Sequence, residues 1–249
     1  MTINYILYDG TWSGLLTAVF EIYERKLTEV RIDPQQKSES LLFAEELVVE
    51  NDDKKAMRVW DGLSTKISLS ARKNLFACFL SEIKGIENVI LDYIRLVFAQ
   101  NINIEKAFSF PAVLKLSQVG KMVHREKHRM EAFVRFKRTL DDFYFAVVEP
   151  DFNVLPLISS HFKNRYADQK WLIYDLKRKY GLYFDLKEVE EVTMDLKISD
   201  QDNLFEDSEA LYQTLWQDYF KHINIESRKN TRLHLRHIPK RYWKHLTEK

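Results

Sequence analysis

The sequence predicts an α+β protein on three observations: a β-α-β pattern at its start, helical periodicity through its middle, and a later run of strand, strand, helix, strand, strand. A long helix and a basic segment close the chain. Two regions are expected, 1–107 carrying the β-α-β unit and helices, and 108–249 carrying the α+β part, or the two as one compact unit.

Each element follows from its residues. INYILYDG reads as a strand entering a Gly turn, and the helix after it places Trp12, Leu15, Leu16, Val19, Phe20 and Tyr23 on one apolar stripe, with Thr11 or Ser13 as N-cap. TEVRI supplies the second strand. Gly10 and Gly14 suggest a phosphate-binding turn, but their spacing matches neither a dinucleotide fingerprint nor a P-loop, so a cap and turn is the reading. From about residue 53 to 129 helical periodicity dominates, best in IENVILDYIRLVF, and Pro111 can start a further helix. AFVRF and YFAVV are strand-like and separated by RTLDDF. After them VLPLISSHFKNRY reads as a helix with Asp151 or Asn153 as cap, and WLIYDL and GLYFDL form a second hairpin around KRKY. Residues 188 to 209 hold nine acids and one Lys; beyond them Leu211, Tyr212, Leu215, Trp216, Tyr219, Phe220 and Ile223 form an aromatic stripe for the long C-terminal helix.

Composition narrows the function classes. Hydrophobic residues make up 45% of the 249, enough for a substantial core, while six Gly and five Pro argue against long disordered linkers. The start lacks a secretory signal and no run approaches the ~18 apolar residues of a membrane span, so a cytoplasmic protein without membrane attachment is expected. Cys78 is the single cysteine. It excludes an intrachain disulfide and argues against an iron–sulfur cluster held by this chain alone, because such clusters need several thiolates. No cofactor is expected. On the apolar helix of LFACFL, Cys78 reads as a buried structural thiol.

The formal net charge of +1 conceals a strong asymmetry. From Arg228 to Lys249 eight Lys/Arg face one acid, Glu248, which leaves 30 of the 38 basic and 36 of the 37 acidic residues to the remaining chain. Lys and Arg neutralise phosphates and aromatic rings stack on unpaired bases at about 1–3 kcal/mol each. Arg228, Lys229, Arg232, Arg236, Lys240, Arg241 and Lys244 are therefore candidate phosphate contacts, and Tyr242 and Trp243 would stack on bases or, if buried, anchor the segment. Pairing with the acidic stretch 188–209 and docking to an acidic protein are the competing readings. A second cluster, seven Lys/Arg from Lys121 to Arg138 against Glu126 and Glu131, adds Arg129, Arg135 and Lys137, the last two on one face if AFVRF is a strand.

Other patterns carry less. His124 and His128 stand at i and i+4 in cationic surroundings and lack the Glu of a zinc hydrolase motif. Pro150-Asp151 and Asp168-Gln169-Lys170 match a metal-dependent nuclease spacing, yet a helix intervenes between them. Glu149, Asp151, His161 and Asp175 are the general acid candidates should the chain act on DNA by base excision or hydrolysis. No catalytic residue is assigned.

Four blocks in order, YDGTWSGLLTAVFEIYERK, HRMEAFVRF, EPDFNVLPLISSHFKNRYADQKWLIYDLKRKYGLYFD and RHIPKRYWKHL, resemble a bacterial family of probable DNA metabolism proteins over nearly the whole chain. Its members contain a domain of unknown function and are typically encoded beside a radical-SAM protein of DNA repair or modification. The resemblance implies DNA and that radical-SAM protein as partners, with this chain as a DNA-binding accessory component; it supplies no active-site residues. An enzyme acting directly on DNA and a structural protein-docking subunit are the alternatives.

Overall fold

The computed structural model describes residues 4–35, 45–100, 103–138, 143–193, 242, 243 and 246. Two compact units divide the chain, Met1–His124 and Arg125–Lys249, with the boundary inside one helix, α5 (Pro111–Phe133). The α+β class holds, with parallel strands in each unit.

In the first unit β1 (Asn4–Tyr8) lies between β2 (Val30–Pro34) and β3 (Glu45–Val48), both parallel to it. Flanked on both sides, β1 buries Ile6, Leu7 and Tyr8. A parallel neighbour needs a crossover, and α1 (Trp12–Glu24) provides it. The YDGTWSG turn is a helix cap: Thr11 Oγ1 accepts from Gly14 N–H, Asp9 Oδ1 accepts from the Thr11 N–H and hydroxyl, and Gly10 takes φ +84°, a region that favours glycine. Ser13 does not cap; it donates to Asp53.

Helices α2 (Asp53–Ser64), α3 (Leu69–Phe79) and α4 (Ile86–Ala99) complete this unit with the first part of α5. Trp12 meets Trp60, Phe76 and Phe79 at ring-centroid distances of 6.0, 5.6 and 5.2 Å, locking α1 to α2 and α3. Cys78 is fully buried beneath them; its thiol donates to the Leu116 carbonyl at 3.2 Å, and burial pushes its pKa up to about 12. The expected structural thiol is what the packing shows. On α4, Asn88 accepts from Ile32 N–H at 2.9 Å and donates to Ile32 C=O at 3.1 Å, so a side-chain amide satisfies the outer edge of β2.

The second unit carries a five-stranded sheet in the order β4-β5-β6-β7-β8, from β4 (Lys137–Arg138), β5 (Tyr144–Val148), β6 (Trp171–Asp175), β7 (Tyr180–Phe184) and β8 (Val189–Thr193). Strands β5 and β6 are parallel, joined through α6 (Leu155–Arg165), and the remaining pairings are antiparallel. All five residues of β6 are buried. On one face Trp171, fully buried, contacts Phe136, Phe162 and Phe184; on the other Phe145, Leu172 and Tyr174 form a cluster with Phe143, Val147 and Tyr183.

Three expectations are corrected. AFVRF is not a strand: α5 continues through Phe133, and only Lys137 and Arg138 pair with β5. Neither Asp151 nor Asn153 caps α6, whose N-cap is Val154 without a side-chain hydrogen bond; Asn153 Oδ1 instead accepts from the Tyr180 hydroxyl. The acidic stretch begins with β8, so the expected ββαββ order gains a strand. The expected C-terminal helix on Leu211 to Ile223 lies outside the described residues. Among the described residues no helix is long and apolar enough to cross a membrane.

Two predictions follow from this packing. A Cβ at Gly181 would sit 2.8 Å from Leu172 Cδ1 and 2.9 Å from the Ile173 carbonyl oxygen, and the backbone oxygen cannot retreat without disturbing β6. Gly181→Ala should cost about 1–3 kcal/mol in urea denaturation, with the slope unchanged. On α1, hydrogen bonds from Lys55 and Arg25 hold the Glu21 carboxyl below its usual range of about 4.5. A depressed folded-state pKa contributes stability that is complete above the unfolded value and disappears as pH falls through the folded one. The thermal midpoint of the wild type should therefore exceed that of Glu21→Gln at neutral pH, and the gap should narrow below about pH 4.5.

Candidate functional site

The pairing of Val148 with Asp175 brings the carboxyl ends of β5 and β6 side by side. In parallel arrangements the crevice outside these ends is where ligands are met. Here the β5–α6 loop, the β6–β7 turn, α5 and Tyr242 converge in the second unit.

Glu126 is the centre of this edge. It is 2% exposed, and its Oε1 accepts from the Tyr242 hydroxyl at 2.5 Å and from the Asp151 N–H at 2.9 Å, while Arg129 Nη1 stands 3.7 Å from Oε2. A buried carboxylate needs such donors because water no longer solvates it. Asp151 carries the connection onward, its carbonyl accepting from Lys177 Nζ and Arg178 Nη2, each at 3.1 Å. Arg178 also donates to the Pro150 carbonyl at 3.2 Å and to Asp175 Oδ2 at 2.8 Å, and Asp175 Oδ1 accepts the Lys177 and Arg178 N–H groups. Asp175, fully buried, is thereby committed to the turn.

The sequence candidates fall out as follows. Arg228, Lys229, Arg232, Arg236, Lys240, Arg241 and Lys244 lie outside the described residues. Tyr242 is 2% exposed and tilted against Phe133 at 6.1 Å, so of its two expected roles its burial supports anchoring rather than base stacking. Trp243 is half-buried in the same short turn, where its carbonyl accepts from Leu246 N–H, and Leu246 is buried too. Arg129 is turned toward Glu126. Arg135 donates to the carbonyls of Ala132 at 2.8 Å and Val134 at 3.3 Å, closing the end of α5, so the strand face shared with Lys137 does not form. Lys137 lies on β4 opposite Phe145.

Among the acid candidates, Glu149 follows β5 and is half-buried, and the Asp151 side chain is exposed. His161 on α6 approaches Glu131 at 4.0 Å through Nδ1, while its Nε2 is buried without a hydrogen-bond partner. The nuclease-like pattern cannot assemble: Asp151 follows the end of β5 whereas Asp168 precedes the start of β6, and in a parallel pair these are opposite ends, separated by on the order of 13 Å of strand. His128 is 85% exposed on its side chain, and among the described residues no His, Cys, Asp and Glu cluster could hold a metal ion.

Two parts of this edge escape sequence reasoning. Glu126 reads there only as an acid diluting a basic cluster, and the KRK of the β6–β7 turn only as a connection. The structure makes the first an anchor for a residue 116 positions away and gives the second two exposed lysines, Lys177 and Lys179, beside it. A cationic turn next to a predicted strand pair was the available signal.

A family model described as a domain of unknown function, DUF4130, matches residues 84–248, and the chain belongs to that family. No curated protein matches it. A solved structure of a pGpG-specific phosphodiesterase, PggH of Vibrio cholerae, is similar at 8% identity and a TM-score of 0.32, covering 73% of this chain and 80% of that one. A similarity at that TM-score carries neither fold nor activity.

Tyr242→Phe removes one donor from a buried carboxylate and should cost about 1–3 kcal/mol, read from the denaturation midpoint. Because the same hydroxyl ties the C-terminal turn to α5, limited trypsin digestion should release the terminal segment faster from the variant than from the wild type.

Proposed function

We propose that this member of the DUF4130 family is a DNA-binding accessory component of a repair or modification system, working in the cytoplasm with a radical-SAM enzyme. The observation that carries the reading is the docking of Tyr242 on Glu126. Tyr242 belongs to the most basic stretch of the sequence, eight Lys/Arg against one acid from Arg228 onward, and it docks at an edge whose neighbouring turn exposes Lys177 and Lys179. A polyanion is the partner such a surface suits, because each phosphate neutralised releases condensed counterions.

The division of labour also suits the single cysteine. With one thiol, buried and pushed up to about 12, this chain has no set of thiolates to offer a cluster, and the radical-SAM partner would hold its own. This chain would recognise the strand. Asp175 and Arg178, bonded to one another and to the loop backbone, serve to fix that surface.

Anisotropy of labelled single- and double-stranded DNA across a salt series tests the reading. If about four cations reach duplex phosphate, log affinity should fall against log salt with a slope near −3.6, about a hundredfold between roughly 50 and 200 mM. Lys177→Ala with Lys179→Ala should reduce that slope by about 1–2 and weaken all sequences alike. No binding, or a flat salt response, would count decisively against DNA.

A further inference from the structure

A separate cleft of about 320 Å3 opens in the first unit, near the lower end of the ~300–1,000 Å3 usual for small-ligand sites. Its floor is apolar. Leu75, Tyr93, Val113 and Leu116 line it at 1, 5, 3 and 3% exposure, contributed by α3, α4 and α5. Phe108, in the connection before α5, lines the same cleft yet is 48% exposed. A large ring left that open beside an apolar floor offers a flat face to a planar guest.

The rim carries two lysines and a histidine. Lys106, Lys121 and His124 all line the cleft and are exposed, whereas its one acid, Glu105, already accepts from the Ser68 N–H at 2.7 Å and the Ser68 hydroxyl at 2.9 Å. The carboxylate is thus drawn to the start of α3. Beside the floor, the Tyr93 phenol is pushed up to about 12, chiefly by burial, so it stays a neutral hydroxyl and adds no negative charge. Asn74 and Ser117 supply further polar groups at the wall. An apolar floor bordered by two lysines suits a guest with an aromatic ring at one end and an anion at the other.

We propose that this cleft binds a single nucleotide, its base against Phe108 and the apolar floor and its phosphate among Lys106, Lys121 and His124. The volume suits one nucleotide and excludes a longer ligand lying wholly inside. Such a group could reach the cleft as a free nucleoside monophosphate or as one phosphorylated residue of a DNA strand. The site shares no residue with the Glu126 edge, and it stands or falls separately from the proposed DNA role of that edge.

Calorimetric titration of the full chain with AMP, dTMP, inorganic phosphate and a 5′-phosphorylated trinucleotide tests this. The proposal requires saturable binding of a mononucleotide or the trinucleotide, with inorganic phosphate at least tenfold weaker. It further requires that Phe108→Ala and Lys121→Glu each reduce affinity about tenfold or more, in line with the loss of one stacking contact or one phosphate contact. Both positions are exposed, so circular dichroism should show the variants folded as the wild type. Tighter binding of the trinucleotide, displaced by AMP, identifies a strand as the source; binding of AMP or dTMP alone identifies a free nucleotide. Absence of binding at millimolar ligand, phosphate binding as well as the nucleotides, or full affinity retained in either variant overturns the proposal. The Lys177 and Lys179 variants should leave the titration unchanged.

Discussion

The second unit depends on how one buried carboxylate is neutralised. Inside the protein, Tyr242, the Asp151 backbone and Arg129 replace water that Glu126 has lost. These donors come from a terminal turn, a loop and the helix itself. Satisfying one charge therefore fixes the loop, and the fixed loop presents the Pro150 and Asp151 carbonyls that hold Arg178, which in turn neutralises Asp175. Two buried acids thus share a single connected set of donors. That set ties the carboxyl edge of the β5 and β6 pair together.

The arginines of this unit are largely used within it. Arg129, Arg135 and Arg178 aim planar guanidinium groups at carboxylates and carbonyls, where several N–H donors can be used at once. Lys177 and Lys179 lie exposed on the β6–β7 turn, with the Lys177 ammonium donating to the Asp151 carbonyl at 3.1 Å. A count of positive residues along the chain treats both alike, so it overstates what Arg129 and Arg135 have to spare for an external anion.

Much of the fold was legible because local rules and burial agree. The start reads as β-α-β since Ile6, Leu7 and Tyr8 are an apolar run and Thr11 is a favoured cap, and WLIYD reads as a strand since the whole run is buried. Where the two periods overlap, the reading fails. Met130 and Val134 are four apart and suit a helix, while Val134 and Phe136 alternate as a strand would, and Arg135 decides the matter by capping α5. Strand β8 was hidden because VEEVT sits at an exposed edge and shows only two apolar residues in five. The anchor was hidden for another reason: Glu126 and Tyr242 are 116 residues apart, and no local spacing encodes a contact of that range. The cleft beside Phe108 escaped likewise, since its lining comes from three helices and a connection.

Asn88 has a consequence of a different kind. Its amide occupies the N–H and C=O of Ile32 on the outer side of β2, as a further strand would. A foreign chain seeking to extend the sheet there would have to evict that amide before gaining anything, so this flank of the molecule is biased against self-polymerisation. Among the described residues, one helical side chain in this way occupies the place of a further strand beside Ile32.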